Sequence, residues 1–311
     1  MLSLYKLEIF AAVIQEGSFS AAAKRLPMTQ PAVSQHIQDL ETALGTQLFN
    51  RNRRGAVLTA AGEVLYDYTQ RILALVNEAE ASVTAVGSLA SGQVSVMATP
   101  GINVYLLPSW ISAFRSRYPN LAVVLHTGVT QEVAAAVANQ STDLGFVEGE
   151  MDGINLSTLG RVILRDVEML LVVCPSHPFA GRASIAPDAL NGEPFITRQP
   201  YSRTRIFIDR LMHRLEVTPR IVGEFDNPEA IKQSILAGMG VGILPEYAVQ
   251  REVEAGMLAA LRLEGVPMQR QISLLYDTSR ALTPIASALL QELSSEFPAL
   301  NALWAMNESE S

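Results

Sequence analysis

Through the first 58 residues, apolar positions recur at steps of three and four, in short runs broken by glycine, serine and proline. In LYKLEIFAAVIQEG, Leu4, Leu7, Phe10, Ala11 and Ile14 fall on one helical face, and Gly17 stands where a helix would be capped. Ser18 is placed to cap a second helix, SFSAAAKRL, which Pro27 stops. A third begins at TQPAVSQHIQDLE, residues 29–41, with Thr29 as its cap. Pro31 lies in the first turn, where its missing N–H would have had no intrahelical partner. Val33, Ile37, Leu40 and Leu44 form the stripe predicted for the core, leaving Gln30, Ser34, Gln35, His36 and Gln38 off it. Next, TQLFNRNRRGAVLT sets a β-like run on each side of a basic, glycine-containing turn, as a small wing would.

The period lengthens after Thr59. Val64, Leu65, Tyr68, Ile72, Leu75, Val76, Ala79 and Val83 predict a single helix to about Val86, roughly 40 Å long, whose stripe needs a partner helix. GSLASGQ, residues 87–93, breaks it. From Val94 onward strands alternate with helices: VSVMAT, LLPSWISAFRSRYP, LAVVLHTG, QEVAAAVANQ and DLGFVEG, then a second series from VEMLLVVCP to VGILPE. QISLLYDT and the helix through PIASALLQELSSEF are expected to return to the first subdomain. This predicts two α/β lobes with mostly parallel sheet, joined by crossing strands near residues 161–166 and 262–268, with a ligand cleft between them.

Composition narrows the class. Half of the 311 residues are apolar and 17% are charged, enough for a sizeable core in two or three domains. No export signal and no run of 18 apolar residues is present, so a soluble cytoplasmic protein without membrane contact is expected. The lone Cys174, at the end of an apolar strand, reads as a small core residue and excludes an internal disulfide or multi-cysteine metal site. The net charge of −8 hides an asymmetry: residues 1–59 carry net +2. His36, His126, His177 and His213 lie in different elements and no G-x-S-x-G elbow occurs, so neither catalysis, metal nor cofactor is expected.

Two short helices joined by a tight turn, the second with a polar outward face, make a helix-turn-helix whose second helix enters a DNA major groove. FAAVIQEGSFSAAAKRLPMTQPAVSQHIQDLETALGTQLFNRNRRGAVLTAAG resembles the N-terminal domain of LysR-type transcriptional regulators, and the rest is compatible with that family's effector domain. RQPYSRTR and EAIKQSILAGMGVGILPE resemble members that control carbon-fixation and sulfur-assimilation genes, which more often carry glycine where this chain has Tyr201 and Arg203. The resemblance implies an α/β protein with an all-α winged helix-turn-helix (residues 1–58), a linker and dimerisation helix (59–87) and a two-lobed effector domain like periplasmic binding proteins (88–311). Lobe I would take about 93–162 and 268–311, lobe II about 163–267. It implies Gln30, Pro31, Ser34 and Gln35 at base edges or flanking phosphates, and Arg51, Arg53, Arg54 and Thr59 on the backbone. His36 is divided between the groove and the surface. It implies promoter DNA, a second copy (a homodimer through the linker helix, then a homotetramer) and RNA polymerase as partners.

In the effector domain, Thr99, Gly101 and Asn103 open a helix after a strand, placed either for an anion or only for capping. Thr197, Arg198, Ser202, Arg203, Thr204 and Arg205 concentrate cations and hydroxyls ahead of another helix, either as an anion site or as a solvated cluster. Thr127, Gly128 and Glu148 end strands and either face the cleft, if the strand order is right, or are only turn residues. Asp226 reads as a helix cap, and Gly238, Gly240 and Gly242 follow a helix, the wrong order for a phosphate cradle. A small anionic effector follows. A free-standing solute-binding protein would leave the head unexplained, and an enzyme with an appended DNA-binding head would need a nucleophile or cofactor motif that is not found.

Overall fold

The computed structural model describes residues 2–50, 56–84 and 91–305, and the chain divides into two compact units at residue 88. In the first, α1 (Leu4–Gln15), α2 (Phe19–Arg25) and α3 (Gln30–Leu44) precede the long α4 (Ala60–Thr84). The caps are those the hydroxyl residues announce: Ser18 Oγ accepts from Ala21 N–H at 3.1 Å and Thr29 Oγ1 from Ala32 N–H at 3.4 Å. Gly17 leaves α1 with φ +68°. Ile9, Phe10, Val13, Ala22, Val33, Ile37, Leu40, Leu48 and Phe49 close one core. Leu44, expected in that core, is exposed instead, at the last position of α3 where the helix ends at Gly45. The wing's flanks pair antiparallel, with a Phe49–Leu58 bridge and Asn50 N–H donating to Val57 O at 2.8 Å. Glu41 anchors it by accepting from Leu48 N–H at 2.7 Å.

On α4, Leu65 and Tyr66 pack on the head's core, whereas Val64, Tyr68, Ile72 and Leu75 are exposed at helical spacing. The side chains of Ala79 and Val83 lie outside the described ones. Among the described residues no helix is long and apolar enough to cross a membrane.

The second unit holds a mixed sheet. β1 (Gly92–Ala98), α5 (Pro100–Tyr105), α6 (Leu107–Arg117), β2 (Leu121–Thr127), α7 (Thr130–Ala138) and β3 (Leu144–Glu148) build the first lobe, with β1 parallel to both β2 and β3. β4 (Leu159–Val173) then leaves it for the second: β5 (Ser184–Ile185), β6 (Pro194–Arg198), α8 (Arg203–Arg214), β7 (Arg220–Phe225), α9 (Pro228–Leu236), β8 (Val241–Pro245), α10 (Glu246–Glu254) and β9 (Ala259–Leu263). β10 (Gln269–Asp277) and α11 (Pro284–Leu293) return to the first lobe. The order is β2-β1-β3-β10-β4-β8-β6-β7, with β9 beside β4 and β5 beside β9.

One strand, β4, serves both lobes. Its first part pairs antiparallel with β10 as far as Glu168, and from Met169 it pairs with β8 and β9. The lobes therefore exchange chain at 168–169, a few residues beyond the expected 161–166, because the strand runs straight through the crossing without a turn. Each lobe buries its own apolar set: Val94, Val96, Ile102, Trp110, Phe114, Phe146, Ile272 and Leu289 in the first, and Met169, Leu171, Phe195, Ile208, Leu211 and Ile243 in the second.

Candidate functional site

On α3 the polar face has an internal order. Gln30 Nε2 donates to Ser34 Oγ at 3.0 Å and Gln35 Nε2 to Asp39 Oδ1 at 2.9 Å, each one helical turn apart. Asp39 also takes Lys6 Nζ of α1 at 3.1 Å, and the hydrogen bonds from Gln35 and Lys6 hold its carboxyl below the usual aspartate range. Gln30, Pro31 and Gln35 are exposed and Ser34 half-buried. An amide fixed by one N–H keeps its carbonyl and second N–H free for a base edge. His36 is oriented differently: its ring meets Tyr5 of α1 edge-on at 5.5 Å, and Nδ1 is buried. The Thr59 hydroxyl is committed to the backbone, donating to Gln47 O at 2.7 Å and accepting from Gly62 N–H at 3.1 Å as the cap of α4. Arg51, Arg53 and Arg54 lie outside the described residues.

In the second unit a cleft of about 500 Å³, open to solvent, lies between the lobes. Thr99, Gly101 and Glu148 line it from the first lobe, and Arg198, Ser202, Arg203 and Thr204 from the second. Seven of the expected residues are thus brought together from four chain segments. Asn103, Thr127 and Thr197 do not line it: Asn103 Nδ2 donates to Thr127 Oγ1 beside it, and Thr197 is buried within β6.

Arg198 is the cleft's distinctive charge. It is 6% exposed, and its side-chain hydrogen bonds among the described residues go to neutral oxygens: Nη2 donates to Asp226 O at 2.6 Å and Nε to Gln199 Oε1 at 3.1 Å. Burial lowers its pKa, opposed by the carboxylates of Glu148 and Asp226. Nearby, Ser202 precedes α8 without capping it, and the Thr99 hydroxyl is buried with no hydrogen-bond partner. Arg203 Nη2 donates to Asp152 O at 2.6 Å, and Arg205 is held by Asp209 and Glu224. A buried cation whose hydrogen bonds go only to neutral oxygens is placed to take an anion.

Two residues of this site escaped the sequence. Tyr247, at the start of α10, donates its hydroxyl to Glu148, and burial together with that carboxylate pushes its pKa well up, so it stays protonated. Its approach requires Gly101, where a Cβ would stand 2.6 Å from the Tyr247 oxygen. Arg270, on β10, pairs with Glu148 with its side chain fully buried. A cation just ahead of the apolar positions of a strand, in QRQISLL, was the available signal, since a charge buried there needs a partner. Tyr247 carried none.

Two other expectations need correction. Asn227, not Asp226, caps α9: it immediately precedes Pro228, the first helical residue, and accepts from Ala230 N–H at 2.8 Å. Cys174 lies just past β4, half-buried and 3.3 Å from Ser176 Oγ, since the strand ends one residue before it. Gly238 and Gly240 connect α9 to β8 and Gly242 lies within β8, none of them in the cleft lining. Among the described residues no group of His, Cys, Asp and Glu is placed to hold a metal ion.

Residues 4–63 match the family described as bacterial regulatory helix-turn-helix protein, lysR family, and residues 87–298 match the LysR substrate binding domain. A probable RuBisCO transcriptional regulator of Trichormus variabilis is 34% identical over 298 residues, 95% of this chain and 88% of the relative. The Synechocystis CcmR regulatory domain, solved in complex with 2-PG, is 27% identical with a TM-score of 0.60, covering 66% of this chain and 97% of that one. Full-length CbnR, solved with its target DNA, shares the fold at 23% identity and a TM-score of 0.68, covering 95% of this chain and 100% of that one. The relatives are transcriptional regulators and not enzymes. With a helix-turn-helix DNA-binding head and a two-lobed effector-binding region, the chain belongs to the LysR family of transcriptional regulators.

Proposed function

We propose that this regulator is controlled by a small anion, a phosphate or carboxylate ester of central metabolism, bound between Arg198, Ser202, Thr204 and Thr99. The buried Arg198 carries the reading, because its hydrogen bonds go to neutral oxygens and, among the described residues, no carboxylate pairs with it directly. The 2-PG bound by CcmR supports an organic phosphate, and the names of the relatives support carbon-fixation genes as targets. At promoter DNA, Gln30, Pro31, Ser34 and Gln35 meet base edges and adjoining phosphates, and Arg51, Arg53 and Arg54 neutralise the backbone. His36 and Thr59 act through the fold of the head. The exposed face of α4 supports a homodimer, and two dimers give the homotetramer. RNA polymerase is the further partner, in the cytoplasm.

Two measurements test this. A gel-shift titration with the protein's own upstream region should show affinity that falls steeply with salt, and a flat response rejects the DNA reading. In a thermal-shift assay 2-PG or inorganic phosphate should raise the melting temperature, by about 2.7 kcal/mol of added stability at a hundredfold excess over Kd. Arg198→Ala should abolish that rise, and a rise that survives removes Arg198 from the site.

A further inference from the structure

Arg270 reaches the cleft only through its neighbours. Its Nη1 donates to Glu148 Oε1 and, at 2.9 Å, to Thr204 Oγ1, while Nη2 donates to the Glu148 carbonyl at 2.9 Å. The guanidinium also lies over the Phe207 ring at 5.6 Å. The position is tightly specified: Gly149 has φ +98°, and a Cβ there would stand 1.9 Å from Nη2.

A guanidinium has donors and no acceptor. The Thr204 oxygen must therefore accept from Arg270, which turns the hydroxyl's single hydrogen elsewhere, and no described residue is found to take it. Thr204 lines the cleft. Glu148, meanwhile, spends one oxygen on Arg270 and the other on Tyr247. The ion pair is thus spent on its own partners, and the cleft-lining cations left for a ligand are Arg198 and Arg203.

We propose that Arg270 is a positioning residue that fixes the Thr204 hydroxyl as a donor toward the cleft, making the site selective for ligands that offer acceptor oxygens, while Glu148 cancels Arg270's own charge. This rests on the anion reading of the cleft and says which groups confer it. One of the hydroxyl's two lone pairs is taken by Arg270, so its hydrogen is the group turned toward an acceptor oxygen of a ligand.

The test is a double-mutant cycle on the full chain, with binding of inorganic phosphate and of 2-PG measured by calorimetry. Thr204→Val should weaken binding about fivefold in the native background, the worth of one typical hydrogen bond. In the Glu148→Gln/Arg270→Met background, which replaces the buried pair by neutral side chains, the same change should cost less than about twofold, because the hydroxyl is no longer oriented. Arg270→Lys, which keeps the charge but not the fork spanning both partners, should likewise reduce the effect of Thr204→Val. An undiminished fivefold loss in both backgrounds would mean that Arg270 only supports the fold, and the proposal falls. Failure of the anion reading is separate: it is signalled by Arg198→Ala leaving phosphate affinity unchanged.

Discussion

Tyr201 sits in the left-handed region at φ 70° with 87% of its surface exposed. A β-carbon there crowds the following carbonyl, at a cost of roughly 1–2 kcal/mol, and an exposed ring has little packing to offset it. The loop takes a backbone path that suits glycine better than tyrosine. Tyr201→Gly is therefore expected to leave the fold unchanged and stabilise it by up to about 1 kcal/mol, read from the denaturation midpoint. A loss of stability would mean that the ring contributes something this account omits. Residue-level reading worked where one residue's chemistry suffices, as at the caps Ser18 and Thr29. It failed at Tyr247 and Arg270, whose partner Glu148 lies about a hundred residues away in sequence, so no local spacing could announce either.

Elements were legible wherever the apolar period was regular. The three short helices of the head, the wing flanks and most strands stand where alternation or a period near 3.6 placed them. β4 was only partly visible, because LGRVILRD interrupts its apolar run with charges that pair across the sheet or face solvent, and α10 was not anticipated. The long helix carries the clearest element-level prediction. Val64, Tyr68, Ile72 and Leu75 remain exposed on α4, a stripe of the kind that a partner helix covers. The double substitution Tyr68→Glu/Leu75→Glu should lower the molar mass in solution by light scattering to that of a single chain, or shift self-association by at least tenfold. An unchanged mass would place the self-association surface elsewhere. Because the head's core takes Leu65 and Tyr66 instead, the variant should retain its helix content.

At the scale of the whole molecule, a second connection between the lobes runs through α5, α9 and α10. Tyr105 donates to Glu229 at 2.6 Å, Lys232 pairs with Glu229 at 3.1 Å and Glu252 at 2.7 Å, and the Lys232 ammonium lies 4.9 Å from the Tyr105 ring centre. Desolvation pushes the Glu229 carboxyl up, but the hydrogen bonds from Tyr105, Gln233 and Lys232 outweigh it and hold the pKa below the usual glutamate value. A carboxyl lowered in the folded state stabilises the fold above its unfolded pKa of about 4.3, and that contribution disappears as the pH falls through the folded value. Glu229→Gln should therefore lower the melting temperature at pH 7 while its curve converges with the native one in acid. Parallel curves down to pH 3 would show that Glu229 contributes nothing to acid sensitivity.

The strand order has a consequence for synthesis. β10 lies between β3 and β4 in the sheet, yet it is made after the whole of the second lobe. As the chain leaves the ribosome, β1 to β3 must wait for residues 269–277 before their neighbour arrives, while the second lobe needs only the later part of β4 and the residues that follow it. The later lobe is thus able to close first, and the earlier one is completed by a strand inserted into its middle. Until then β3 presents an open edge, so the period between translation of Glu148 and of Asp277 is when this protein is most exposed to strand mispairing and to capture by chaperones.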